Sequence, residues 1–108
     1  MNKCLFTGTV ASEPKLEYTM EGNKVCKFTL EIGNASPEIK DGWERFVYVT
    51  AHDNKAEFAA KYLHKGTKVA LAASAKSRRV DINGKAYLFT DFHADKIELA
   101  QPPVPANN

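Results

Sequence analysis

The chain is short of cysteine, of tryptophan, of long apolar runs and of net charge, and each shortage excludes something. Cys4 and Cys26 are the only thiols, and neither has a second Cys or a His at metal-ligand spacing. A zinc site or a disulfide framework is therefore not expected, and the sequence asks for no metal and no cofactor. In a reducing compartment both thiols read as small core hydrophobes. The apolar runs are far too short to span a bilayer. The opening Met-Asn-Lys-Cys-Leu-Phe-Thr-Gly lacks a signal or lipidation pattern, so a cytoplasmic protein without membrane contact is expected. Net charge is only +2, so any electrostatic footprint has to come from where the charges cluster. Catalytic patterns are missing as well: no nucleophile elbow, no phosphate-cradling glycine loop and no paired carboxylates. Asp41, Asp53, Asp81 and Asp91 fall at expected turns, caps and strand ends, and the chain does not read as an enzyme.

What is there is one small domain's worth of residues, 108 in all, enough for a single core. Lys3 to Val10 reads as a first strand in which Gly8 marks a bulge or bend. After a break at Pro14, Leu16 to Met20 reads as a short strand and Glu21-Gly22-Asn23 as a tight turn. Val25 to Ile32 alternates, with Cys26, Phe28, Leu30 and Ile32 on the apolar face and Lys27, Thr29 and Glu31 on the polar one. Gly33 to Gly42 reads as a long loop.

Trp43 to His52 is the most telling stretch. Val47, Val49 and Ala51 suit a core, while Phe46, Tyr48, Thr50 and His52 take the positions between them and so share the other face of a strand. That face carries more aromatic surface than a solvated strand needs. Asn54-Lys-Ala-Glu57 has capping-box spacing and predicts a helix with Asn54 as its cap, a stripe of Phe58, Ala59, Tyr62 and Leu63, and Gly66 as its left-handed end. Lys68 to Ser77 reads as a strand with Val69, Leu71, Ala73 and Ala75 inward. Asp81 to Lys85 is a hairpin turned at Asn83-Gly84, Ala86 to His93 the return strand, and Asp95 to Leu99 a further short one. The order predicts an all-β chain: a five-stranded Greek-key OB-fold barrel with one α-helix between strands 3 and 4. It occupies residues 1–100, with 101–108, rich in proline, as a disordered tail.

These segments resemble the bacterial single-stranded DNA-binding protein (SSB) family. The resemblance rests on Met1-Asn2-Lys3 leading to Gly8, on Glu13 to Tyr18, on Phe28-Thr29-Leu30, on Ala56 to Val69, and on Asn83-Gly84-Lys85, Tyr87 and Asp95-Lys96-Ile97. It implies single-stranded DNA binding without catalysis, coating exposed strands in replication, recombination or repair. It also implies self-association, as a homotetramer or homodimer, and contacts with replication or recombination proteins. The family's usual base-stacking positions fall on Ser36, Phe46, His52 and Val80, and only Phe46 keeps an apolar ring. The family's acidic tip is missing from Ala106-Asn107-Asn108, which fits a member without it or a shortened chain. The divergence suits a phage-, plasmid- or mobile-element-encoded member. It also suits the PriB-like primosomal relatives, in which case protein-protein contacts would dominate.

The candidate DNA-binding residues divide into rings for bases and cations for phosphates. The rings are Phe46, Tyr48, His52 and Trp43. An oligomer interface is the competing use of Phe46 and Tyr48, a plain strand-end histidine that of His52, and loop anchoring that of Trp43. The cations are Lys76, Arg78, Arg79 and Lys85 on the hairpin, with Lys76 and Arg78 on one face; a solvated hairpin is the competing reading. Lys27 and Thr29 border the expected groove, where Glu31 would repel phosphate. Tyr62 and Phe58 read as core, Tyr18 and Tyr87 stay undecided, and His64 and His93 receive no chemistry.

Overall fold

A computed structural model describes residues 1–33 and 45–100. The elements are β1 (Cys4–Val10), β2 (Lys15–Tyr18), β3 (Lys24–Ile32), β4 (Phe46–His52), α1 (Asn54–Tyr62), β5 (Lys68–Ile82) and β6 (Lys85–Leu99). They form one sheet in the order β1-β5-β6-β4-β3-β2, and β1 also pairs with β3, which rolls the sheet into a closed barrel. This is the expected OB arrangement. The sixth strand is the four-residue β2, so the helix lies between β4 and β5.

Closure depends on two short joints. Gly8, Thr9 and Val10 pair with Ile32, Glu31 and Leu30, while Gly8 and Thr9 also pair with Val69 and Lys68 of β5. Gly8 is there because a Cβ would overlap the Glu31 carbonyl oxygen. At Gly8, where a bulge or bend was expected, the strands approach closely, which glycine also serves; the register shift of the sheet is at Ala72/Ala73. The other joint is a parallel contact between β4 and β6 limited to Val49–Phe92 and Thr50–His93.

Strand alternation fills the barrel with Val10, Cys26, Phe28, Leu30, Val49, Ala51, Val69, Leu71, Ala73 and Ala94. The helix closes one end with Ala56, Ala59 and Leu63. At nine residues α1 is too short to be stable alone, so this packing holds it. Cys26 is fully buried and Cys4 partly so, both as free thiols. Burial pushes the Cys26 thiol up.

The helix ends differ from expectation. The cap is Asp53, at a left-handed φ of 55°, and its side chain makes no capping bond. The Asp53 carbonyl accepts from Glu57 N–H at 3.1 Å, and the Glu57 carboxylate pairs with Lys24 of β3 rather than reaching back. The helix stops at Tyr62 because Leu63 turns extended to bury its side chain in the core. Gly66, at φ +101°, sits in the following turn, where its N–H donates to the Val10 carbonyl at 2.8 Å. Tyr62, read as core, is instead half exposed, and Phe58 is partly buried against it. Both long strands run further than expected: β5 continues past Ser77 to Ile82, and β6 is unbroken from Lys85 to Leu99. The Asn83-Gly84 turn is as expected, with φ of 52° and 79°. Among the described residues no helix is long and apolar enough to cross a membrane.

Candidate nucleic-acid interface

The outer face of β3 and β4 is built by register. Antiparallel pairing sets Thr29 beside Tyr48, Lys27 beside Thr50 and Val25 beside His52. β2 adds Lys15 beside Lys27, and the parallel joint adds His93 beside Thr50. One row across four strands therefore reads Lys15, Lys27, Thr50, His93. Beyond the joint, β5 and β6 rise as an arm that forms a second wall. Between the walls lies an open groove of about 860 Å³, whose lining includes Lys27, Thr29, Tyr48, His52, Arg78 and Phe89.

On this face the Tyr48 ring is 57% exposed, while Val49 and Ala51 beside it are in the core. Phe46 is half-buried at the edge, with the Arg45 guanidinium 5.2 Å from its ring centre, and does not line the groove. Arg45 Nε also reaches Glu31 Oε2 at 3.0 Å, so the carboxylate expected to repel phosphate is neutralised. His52 lies in the groove, its Nε2 2.9 Å from His93 Nδ1. Trp43 and Ser36 lie outside the described residues.

The four hairpin cations separate. Arg78 lines the groove, donates to Asp91 Oδ2 at 2.6 Å and lies 5.4 Å from the Phe89 ring centre. Lys76 shares its face, opposite Asp91 in the ladder, but stops short of the lining. Arg79 alternates to the other face and pairs with Asp81 at 3.2 Å. Lys85 stands at the turn, opposite Ile82, away from the groove.

Sequence reasoning passed over Phe89 and Lys15 here, gave His93 no chemistry and left Tyr87 undecided. Phe89 lies beside Arg78 with 43% of its surface open, and Tyr87 stands directly across the ladder from Val80. The signal was present: Tyr87, Phe89 and His93 fall on one parity of the return strand. Lys15 and Lys27 are like charges directly opposed, an arrangement that is destabilising until an anion arrives. Among the described residues neither lysine holds an ion pair.

Acidic groups also line the groove, but two are already engaged. Asp91 is held by Arg78, and Glu13 accepts from His64 and from Lys65 N–H at 3.0 and 3.1 Å. The His64 hydrogen bond and then the Lys65 amide hold the Glu13 carboxyl below its usual value. Glu17 remains. Burial, then Lys76 and His52, hold His93 below the ordinary histidine value, while Asp91 and Asp95 oppose them. Among the described residues no cluster of His, Cys, Asp or Glu is placed to hold a metal ion. The groove thus offers open rings, unpaired lysines and a guanidinium, a set suited to stacking flat groups beside a polyanion.

A profile of the single-strand binding protein family matches residues 1–100. The single-stranded DNA-binding protein of Bacteroides thetaiotaomicron is 30% identical over 112 residues, which cover 94% of this chain and 67% of that protein. Those of Halalkalibacterium halodurans and Bacillus cereus are each 27% identical, over 94% of this chain and over 62% and 61% of their own lengths. The chain thus spans about two thirds of the first relative and less of the other two.

Proposed function

Because the chain belongs to the single-strand binding protein family, we propose that it binds single-stranded DNA without reading its sequence. It is a binding protein and not an enzyme. Bases stack on Tyr48 and on Phe89 of the facing arm, each stacked base contributing about 1–3 kcal/mol. Lys15, Lys27 and Arg78 contact phosphates, with Lys76 above them, while Thr29 supplies a hydroxyl at the groove wall. The observation that carries this reading is an open tyrosine between two unpaired lysines and a guanidinium in one groove. His52 contacts the strand from the same face. Phe46 shapes the groove's edge, and Arg79 and Lys85 have a lesser part, because they point elsewhere.

The physiological role that follows is protection of exposed strands in replication, recombination or repair, in the cytoplasm, by a homo-oligomer. Leu5 supports the last point: it is 75% exposed beside Ala70 and Ala72 in a second groove of about 400 Å³ along β1 and β5. The test is titration of intrinsic fluorescence with oligo-dT at two salt concentrations. Strong quenching is expected at low salt, with affinity falling as salt rises because bound cations are released from the phosphates. Absence of binding by micromolar protein at low salt contradicts the reading.

A further inference from the structure

His52 and His93 are 41 residues apart in sequence, and the short parallel joint sets their rings side by side. The rings are parallel to within 7°, with centroids 5.1 Å apart and the facing nitrogens at 2.9 Å. A hydrogen bond between two ring nitrogens needs one donor and one acceptor. The contact therefore survives with both imidazoles neutral or with one protonated. With both protonated, two N–H groups would point at each other and the pair would open.

The surroundings set what the pair can take up. From β5, Arg78 lines this part of the groove and Lys76 acts on His93 from outside the lining; from β3, Lys27; from β2, Lys15 and Glu17; from β6, Asp91 in the lining and Asp95 outside it. Asp53 follows His52 in the chain. Asp91 is engaged by Arg78 at 2.6 Å, and Asp95 accepts from the Ser74 hydroxyl at 2.9 Å. Four cations and four carboxylates thus balance around the rings, burial and then Lys76 disfavour a proton on His93, and the pair sits at the end of the row Lys15, Lys27, Thr50. An anionic backbone laid along that row ends at an imidazole nitrogen.

We propose that the His52–His93 pair is a proton-coupled phosphate contact. In the free protein it carries at most one proton. A phosphodiester of bound single-stranded DNA favours the singly protonated pair, drawing one proton from solvent onto a ring nitrogen of the neutral pair, and the resulting imidazolium N–H donates to a phosphate oxygen. Binding then takes up protons, so affinity rises as pH falls. This rests on the reading that the groove holds single-stranded DNA.

The experiment measures oligo-dT affinity by anisotropy between pH 8 and pH 6 at fixed ionic strength, using a dye that does not titrate there. Thymine gains no proton in that range. Uptake of up to one proton tightens wild-type binding by about three- to tenfold across the range. The variants His93→Gln and His52→Gln, each measured separately, are expected to flatten the profile to within about twofold. A flat wild-type profile, or an unchanged slope in both variants, overturns the proton coupling while leaving the DNA reading intact. No binding at any pH overturns both.

Discussion

The β5–β6 ladder has two halves that share a backbone and little else. In the lower half, Val69, Leu71 and Ala73 are sealed inside the barrel, and β1 covers the outer edge of β5. In the upper half, from Lys76 to Ile82 and back from Lys85 to Thr90, almost every side chain is open. Cross-strand hydrogen bonds continue through both. What holds the arm beyond them is local: Arg78 on Asp91, Arg79 on Asp81, and the Asn83-Gly84 turn. Exposed ion pairs contribute at most about 1 kcal/mol each. Backbone pairing can thus be carried past the end of a core, and the excess is free to serve a ligand. In the proposed reading, stability belongs to the lower half and binding to the upper half with the β3–β4 face.

That division can be broken by matched substitutions. The largest effect is expected from Leu71→Ala, which removes a core side chain and costs about 2–5 kcal/mol in urea denaturation. Leu88→Ala, on the arm at 78% exposure, should stay within about 0.5 kcal/mol. A comparable loss at Leu88 would mean that the arm is packed in solution.

Next in size is the pair Arg78→Ala and Arg79→Ala. They are neighbours in sequence on opposite faces, and only Arg78 lines the groove. Arg78→Ala should weaken oligo-dT binding by roughly tenfold at low salt and reduce the slope of log affinity against log salt by about 0.7. Arg79→Ala should change affinity less than twofold, roughly the measurement error. Equal losses would place the DNA on both faces of the arm.

The smallest effect concerns the fold alone. Glu13, tied to His64 and the Lys65 amide, titrates below its usual 4.5 in the folded protein. Its contribution is present above that value and is lost as pH falls through the folded pKa. Both partners are exposed, so the melting temperature should show only a slight acid limb, and Glu13→Gln should flatten it by lowering the melting temperature slightly at neutral pH and leaving it unchanged in acid.

Much of this was legible beforehand because it is periodic. The two-residue alternation in Val25–Ile32 and Phe46–His52 gave both the core face and the groove face. Asn83-Gly84 announced its own turn. The helix cap was misread because Asn54 and Glu57 imitate a capping box one residue inside the true start, where Asp53 adopts a left-handed conformation. The length of β5 and β6 was hidden because a strand exposed on both faces has no alternation to read. The second wall was hidden more deeply. Phe89, His93 and Lys15 reach the groove only through barrel closure and the pairing of β2, which are tertiary events. Lys27 and Tyr48 needed only their own strands.

Two tyrosines test the central claim most directly. Tyr48 and Tyr62 have similar exposure, 57% and 49%, but Tyr48 lies in the groove and Tyr62 on the helix, away from it. In anisotropy titrations with labelled oligo-dT at low salt, Tyr48→Ala is expected to lose about five- to 150-fold in affinity, equivalent to roughly 1–3 kcal/mol, with folding stability intact. Tyr62→Ala should bind as wild type does. Wild-type affinity in Tyr48→Ala, or an equal loss in both variants, would contradict the assignment of binding to this groove.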